Sequence, residues 1–294
     1  MRRIVCLFAA VLFGGTNLFA VDVQVELPSS PKPKAGQSPQ PQQQATPVAQ
    51  GTSTPPPATT PRATTTPQAA NTSPAIPEET PRYRPALLGT GPNSLINRIN
   101  TQALMAKGQK DGSLMFCCSV RATGELVSAW AYRQTPDSTL LEEELMRRLN
   151  GTAFIPAIYN YKTVPVLFFG TLTFSIVNEK PRLRIFANQE AEELKKESDF
   201  ISPQPFIGKE SKFEGLHYPD DTSRVPIQGL VELAMNIDAD GNLKDLQIVS
   251  ENPPLIGFRR AAAEDFRVAK FIPAFRDGKP IECKITLPVC YPPE

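Results

Sequence analysis

The chain has 294 residues, room for one or two domains, and its 31 Lys and Arg almost balance its 30 Asp and Glu. The formal net charge of +1 provides no electrostatic footprint for nucleic acid or for an anionic membrane. Histidine occurs once, at His217, and we expect it to be structural. Ser-His-Asp, Cys-His and H-E-x-x-H zinc chemistry all need a histidine in a fixed geometry, so the composition argues against these enzymes.

The first twenty residues have the pattern of a secretory signal. A positive start at Arg2 and Arg3 precedes an apolar run over residues 4–13, and a Leu-Phe-Ala cleavage site ends at Ala20. The run is shorter than the about 20 apolar residues that cross a bilayer. Residues 1–20 are therefore predicted to be a cleavable signal peptide, and an uncleaved membrane anchor is the alternative.

Residues 21–90 are predicted to form a disordered linker rich in Pro, Gln and Thr. Fifteen of the 31 prolines lie between Pro28 and Pro85, where Tyr83 is the one aromatic residue. Such a composition buries too little apolar surface to offset the entropy of ordering, and its prolines favour an extended spacer. A mucin-like glycosylated stalk is the alternative.

The remainder of the sequence contains one pattern twice. The stretch that begins at Gly112 returns at Gly229, 117 residues later, and Gly124 matches Gly241 at the same offset. The tetrapeptide FIPA recurs at that offset too. Each copy is typical of a strand, a tight turn, a strand, a helix, a short strand and a final strand.

This duplication predicts an α+β fold with two tandem small domains, each an antiparallel sheet of about three strands with a helix packed on one face. The first domain is expected over residues 91–180 and the second over residues 214–294. Between them, residues 181–213 form a connector. Its Arg182 and Arg184 are interpreted as part of a solvated connector, with a basic docking strip as the alternative.

Hydrophobic spacing predicts which faces of each copy are buried. In the first strand of the first copy, the alternating set comprises Leu114, Phe116, Cys118 and Val120. The helix that follows buries Leu141, Leu145 and Leu149 in the first copy and Phe258, Ala262 and Phe266 in the second. Its acidic run, Glu142 to Glu144, is expected to be a solvated helix face. With no paired acid and base, the sequence predicts no catalytic residue.

Four cysteines follow the predicted signal, namely Cys117, Cys118, Cys283 and Cys290. Their spacings match no zinc or redox motif, so no metal site is predicted. Export permits disulfides, but small core residues are an equally good interpretation, and the disulfide state stays open.

The stretch NIDADGNL, which starts at Asn236, has alternating acids and a glycine, as a calcium-binding EF-hand loop does. Such a loop needs flanking helices and a bidentate glutamate at its twelfth position, which is Gln247 here. The flanks alternate with period two, and the equivalent turn of the first copy has no carboxylate before its glycine. The stretch is therefore predicted to be a hairpin turn that binds no calcium.

The second copy, over residues 216–291, resembles the C-terminal domain of TonB, the periplasmic protein that energises outer-membrane receptors. The shared features are Tyr218-Pro219 at the start, Gly229 opening a strand, the Asp240-Gly241 turn, the VSENP stretch, the alanines at 261–263, FIPA, Gly278-Lys279-Pro280 and a closing LPV strand. The first copy, over residues 94–176, is less similar. TonB proteins normally carry one such domain, and their anchor carries a histidine that this N-terminus lacks. Energy transduction therefore does not follow from the resemblance.

The resemblance implies a non-enzymatic binding module without a cofactor, in the periplasm of a Gram-negative envelope or secreted. Domains of this kind take an extended peptide of an outer-membrane receptor as an added strand, which needs only unpaired backbone groups. One alternative is a TonB-type energy transducer held in the inner membrane by an uncleaved anchor. Another is a structural envelope protein without a peptide ligand. Nucleic acid and metal are not expected partners, and the membrane is one only if the N-terminus stays uncleaved.

The last strand, residues 281–291, is the candidate peptide-binding edge. Alternation places Cys283, Ile285, Leu287, Val289 and Tyr291 toward the core, and it places Glu282, Lys284, Thr286 and Cys290 toward solvent or a partner. Pro288 cannot donate a ladder hydrogen bond, which favours an edge position. The proline and Lys284 are equally typical of an edge that avoids pairing, and both interpretations stay open.

Overall fold

The computed structural model describes residues 80–219 and 226–293. The predicted signal peptide, residues 1–20, and the predicted linker up to residue 79 lie outside the described residues. Both sequence copies belong to one compact unit. Within the described ranges, no helix has both the length and the apolar character that a bilayer crossing requires.

The end of the predicted linker is part of the fold. Strand β1 (Tyr83–Arg84) pairs antiparallel with β4 (Ala157–Tyr159) of the first copy. The side chain of Tyr83 is buried and Ala86 is fully buried. The predicted linker is polar on average, so its composition does not reveal the short apolar segment at its end that packs on the first domain.

The first sheet has four antiparallel strands in the order β3-β2-β6-β7. They are β2 (Gly112–Val120), β3 (Leu126–Tyr132), β6 (Val166–Val177) and β7 (Lys180–Phe186), and α3 (Thr139–Leu149) packs against β3. We predicted about three strands. The fourth, β7, comes from the stretch assigned to the connector, because Leu183 and Ile185 alternate with charged residues and pack on the core of the first copy.

Short elements complete residues 80–213, which precede the second copy and form the first half of the fold. They are α1 (Leu95–Arg98), α2 (Thr101–Ala106), β5 (Lys162–Val164), α4 (Ala191–Lys196) and β8 (Gln204–Pro205). Strand β5 pairs with β4, and α4 and β8 lie in the predicted connector.

The second sheet has the antiparallel order β10-β9-β14. Its strands are β9 (Gly229–Ile237), β10 (Leu243–Asn252) and β14 (Cys283–Tyr291), and α5 (Phe258–Arg267) packs on one face. Three short strands lie between α5 and β14 in the chain, namely β11 (Phe271–Ile272), β12 (Ala274–Arg276) and β13 (Lys279–Ile281). Strand β12 pairs with β13, and β11 pairs with β8. Together the sheets confirm the predicted α+β class.

Equivalent elements recur at the offset read from the sequence. Gly112 opens β2 and Gly229 opens β9, while Val166 opens β6 and Cys283 opens β14. In both copies the first strand is central, between its hairpin partner and the returning last strand. The chain order strand, turn, strand, helix, strand thus gives the same three-stranded arrangement twice.

Strand β2, in the middle of the first sheet, is buried on both faces. Leu114, Phe116 and Cys118 pack in the core of the first copy, as their alternation predicts. Cys117 points the opposite way and is also fully buried, because it packs in the core of the second copy together with Val289. The two halves therefore share a packed interface between the first sheet and β14.

Candidate peptide-binding edge

Strand β14 lies at one edge of the second sheet, with β9 as its pairing partner over nine residues. The core-side residues of the predicted alternation, from Cys283 to Tyr291, are all buried. Glu282, Lys284 and Thr286 are exposed, as predicted. Cys290 is not: its exposed fraction is 1%, because β3 of the first half packs over it. Our expectation that Cys290 faces solvent or a separate partner is therefore wrong.

The outer backbone groups of β14 differ between its two ends. The amide of Thr286 donates to Glu190 Oε2 at 2.8 Å. The carbonyl of Pro288 accepts from the Tyr132 hydroxyl at 2.8 Å, and the carbonyl of Cys290 accepts from Trp130 Nε1 at 3.1 Å. These even-numbered residues present their backbone groups outward, away from β9. Side chains of the first half thus occupy the edge from Thr286 to its end. Within residues 80–219 and 226–293, no side chain forms a hydrogen bond to the outward backbone groups before Thr286, so this part is the open end of the edge.

Tyr132 is held in this position by a buried amide. Gln189 Nε2 donates to the Tyr132 hydroxyl at 2.8 Å and to the carbonyl of Gly170 at 3.1 Å. The hydroxyl has two acceptors within reach, the carbonyl of Pro288 at 2.8 Å and Gln189 Oε1 at 3.0 Å, and the bond to Pro288 is the shorter. Burial holds the pKa of the Tyr132 phenol well above its ordinary value, so it remains a donor.

A shallow cavity of about 390 Å³ lies beside the open end of the edge. Lys284 and Thr286 of β14 line it together with Glu190 of the first half and Asp245 and Gln247 of β10. Its charges have both signs, and its amide and hydroxyl groups can donate and accept hydrogen bonds. The cavity therefore suits polar side chains that project from a chain paired along β14.

The stretch NIDADG forms a hairpin turn between β9 and β10, as predicted, and the absence of calcium binding stays a prediction. The carboxylate of Asp238 accepts from the amides of Asp240, at 3.0 Å, and Asn242, at 2.8 Å, and pairs with Lys244 Nζ at 2.8 Å. Burial alone would raise the pKa of Asp238, but these partners outweigh it and hold the pKa well below the usual range. The acid therefore serves the turn itself. No cluster of three potential metal ligands occurs in the described part of the chain.

His217 joins the start of the second copy to its helix. Its Nδ1 lies 2.6 Å from Asp265 Oδ1, and its backbone amide donates to Asp265 Oδ2 at 3.0 Å. The hydroxyl of Tyr291 donates to the same buried carboxylate at 3.1 Å. The hydrogen bond with Asp265 raises the pKa of His217 above its ordinary value. This arrangement ties β14, α5 and the preceding segment together.

The four cysteines that follow the predicted signal peptide are buried free thiols. Burial raises the pKa of Cys283 to about 12 and that of Cys290 to about 11. The thiols of Cys117 and Cys118 are shifted in the same direction by burial. Protonated, enclosed thiols are poor nucleophiles, so these cysteines act as small core residues.

Two charged features differ from their sequence interpretation. Glu144, expected on a solvated helix face, is buried and accepts from Arg148 Nε at 2.8 Å, with Arg147 as a second partner. Arg182 and Arg184, expected in a connector, lie on β7, and both pair with Glu197. The charges of Glu144, Arg182 and Arg184 are therefore all paired within the fold.

Sequence reasoning missed the side chains that cover β14. Trp130, Tyr132 and Glu190 lie at sequence distances of about 100 to 160 residues from their partners, and nothing in a single sequence marks them as such. The one available signal was the alternating, apolar character of the second strand of the first copy.

Residues 214–293 match the model of a protein family described as Gram-negative bacterial TonB protein C-terminal. A search of the curated proteins found no match. The match includes the whole range for which the resemblance was noted, and the likeness of the first copy to the same family stays a prediction. Domains of this family are non-enzymatic, envelope- and transport-related, and interact with outer-membrane proteins. The C-terminal part of the chain, residues 214–293, is thus a domain of the TonB C-terminal family.

Proposed function

We propose that the chain is a non-enzymatic binding module of the periplasm that takes extended peptides of outer-membrane proteins as an added strand on β14. The observation that supports this most is the open first part of the edge. Glu282, Lys284 and Thr286 are exposed there, beside a cavity that is lined in part by charged and polar side chains. Strand addition gains affinity from main-chain hydrogen bonds and specificity from pockets for alternate side chains, and this edge offers both.

The amide of Lys284 is the group that tests the proposal. It lies two residues before Thr286 in an uninterrupted register with β9, so it faces outward as the Thr286 amide does. Lys284→Pro removes this donor and is tolerated on an edge strand. Lys284→Ala removes the charged side chain and keeps the amide, which makes it the matched control.

Binding is measured by calorimetry with synthetic ten-residue peptides from the periplasm-facing segments of outer-membrane receptors. We expect Lys284→Pro to weaken binding at least about fivefold, the equivalent of one net hydrogen bond. Lys284→Ala should retain most of the affinity. Equal binding by the wild type and Lys284→Pro would contradict strand addition at this edge.

Export and anchoring are separate parts of the proposal. We propose that residues 1–20 are removed and that the mature protein lies in the periplasm or is secreted. Intact mass and N-terminal sequencing of the exported protein test this. A mature chain that begins at Met1 and stays in the membrane fraction would favour the energy transducer instead.

A further inference from the structure

The side chains that cover β14 occupy the groups an added strand would need. A new strand pairs with the outward N–H and C=O groups of alternate residues. On β14 these include the carbonyls of Pro288 and Cys290, which already accept from Tyr132 and Trp130. The amide of Thr286 already donates to Glu190. The first half therefore satisfies the edge in the way a bound peptide would.

The side chains that cover β14 are fixed firmly near Pro288 and Cys290 and weakly at Thr286. At the firm end, Tyr132 is fully buried and oriented by Gln189, and the neighbouring Arg133 pairs with Glu232, which lies opposite Pro288 on β9. At the weak end, one half-buried carboxylate, that of Glu190, holds the Thr286 amide at the rim of the cavity. A chain arriving along the open part of the edge meets Glu190 first.

We infer that the first half of the chain is a built-in competitor for β14, and that a peptide ligand gains full access only by displacing Glu190 from the Thr286 amide. This inference rests on the proposed function. Pairing that stops before Thr286 uses the open residues 282–285 alone, which is a short ladder. Extension toward Cys290 requires the indole and phenol donors of β3 to leave as well.

Three substitutions separate this competition from a structural role of Glu190. Glu190→Ala removes the acceptor. Glu190→Gln supplies a neutral oxygen acceptor at the same reach in place of the charged one, so its effect should lie between those of the wild type and Glu190→Ala. Glu192→Ala removes an exposed carboxylate on the adjacent helix, where its partner is Lys195. Glu190 makes no side-chain cap of α4, so its removal leaves that helix end unchanged.

The readouts use the full chain and the same receptor-derived peptides. Trp130 is the chain's single tryptophan, so its fluorescence reports on the covered end of the edge. Hydrogen exchange at the Thr286 amide reports on the weak end without any peptide. We expect Glu190→Ala to bind peptide about fivefold more tightly and to exchange the Thr286 amide faster by a similar factor. Glu190→Gln should give a smaller increase than Glu190→Ala, and Glu192→Ala should match the wild type.

The possible results have distinct meanings. Binding that is tightest for Glu190→Ala and unchanged for Glu192→Ala, with a change in Trp130 emission on binding, supports the competition. If peptide binds the wild type and Glu190→Ala equally, the competition is overturned and the proposed function stands. If no peptide binds any variant while Glu190→Ala still speeds exchange at Thr286, the proposed function fails, and the competition fails with it.

Discussion

The hydroxyl of Tyr83 donates to the carboxylate of Asp240 at 3.2 Å, joining the first strand of the fold to the hairpin turn of the second copy. Arg82 pairs with the same carboxylate at 3.2 Å, and the Tyr159 hydroxyl approaches the Asp240 carbonyl at 3.5 Å. The position equivalent to Asp240 in the first copy is Thr123. The acid is therefore a contact between β1 and the second copy rather than a requirement of the turn.

Asp240→Ala should lower the free energy of unfolding by about 1 kcal/mol, because Tyr83 loses an acceptor and Arg82 its exposed partner. Urea denaturation measures the change. The matched control is Asp245→Ala, an exposed acid on β10 whose partner is Gln247, expected within about 0.5 kcal/mol of the wild type. Equal effects of the two substitutions would contradict a contact at Asp240.

Gly241→Ala should destabilise the protein far more than Gly278→Ala. Both glycines have positive φ, at 82° and 69°, so both variants carry left-handed strain of about 1 kcal/mol. At Gly241 a Cβ would also lie 1.9 Å from the Phe271 carbonyl oxygen, whereas at Gly278 nothing lies within 4 Å. The difference in melting temperature between the variants measures the close approach. Similar losses at the two sites would show that the turn can move away.

Gly124→Ala should repeat the Gly241 result in the first copy. A Cβ there would lie 2.1 Å from the Phe154 carbonyl oxygen. The amide of Phe154 donates to the carbonyl of Gly124 at 2.8 Å, and the amide of Phe271 donates to the carbonyl of Gly241 at 2.9 Å. A mild effect at Gly124 alone would show that the two copies differ in how tightly the FIPA segment holds the turn.

The bond between His217 and Asp265 should make stability depend on pH. The pKa of His217 is raised in the folded state, so its contribution is complete below about pH 6.5 and is lost as the pH rises through the folded pKa. His217→Ala should therefore cost more stability at pH 5.5 than at pH 9. As this is the chain's one histidine, NMR titration of its ring gives the pKa directly. An equal cost at both pH values would contradict the assignment.

Asp238 should contribute stability that acid removes. Its pKa is held well below the usual range, so its contribution is present above about pH 4 and is lost as the pH falls further. Asp238→Asn should flatten the fall in unfolding free energy between about pH 4 and pH 2. If the unfolding free energy of the variant falls as steeply in this pH range as that of the wild type, other carboxylates account for the fall.

The hairpins and the exposed residues of β14 could be predicted from the sequence, because each of these features is determined by residues that are close together in the chain. The glycines at 124 and 241 and the alternation around them predicted both hairpins, and the final alternation predicted the exposure of Lys284 and Thr286. The motifs of the second copy, which resemble the TonB C-terminal domain, lie within the range that the family model matches.

The contacts between the copies did not follow from the sequence, because they join residues far apart in it. Cys117 and Cys290 are buried on faces that alternation assigns to solvent or leaves undecided, since each half covers the other. Glu144 is buried because Arg147 and Arg148 neutralise it, which a run of three glutamates does not reveal. The period of the hydrophobic residues shows which face of a strand or helix is buried in its own core. It does not show whether another element packs on the opposite face.

The most direct measurement is hydrogen exchange, read by NMR, at the amides of residues 281–291 with and without a receptor-derived peptide. If β14 accepts an added strand, the outward amide of Lys284 gains protection, while the amides of β10 at the opposite edge of the sheet stay unchanged. Protection that appears along β10 alone, or an unchanged Lys284 amide at saturating peptide, would contradict strand addition at β14.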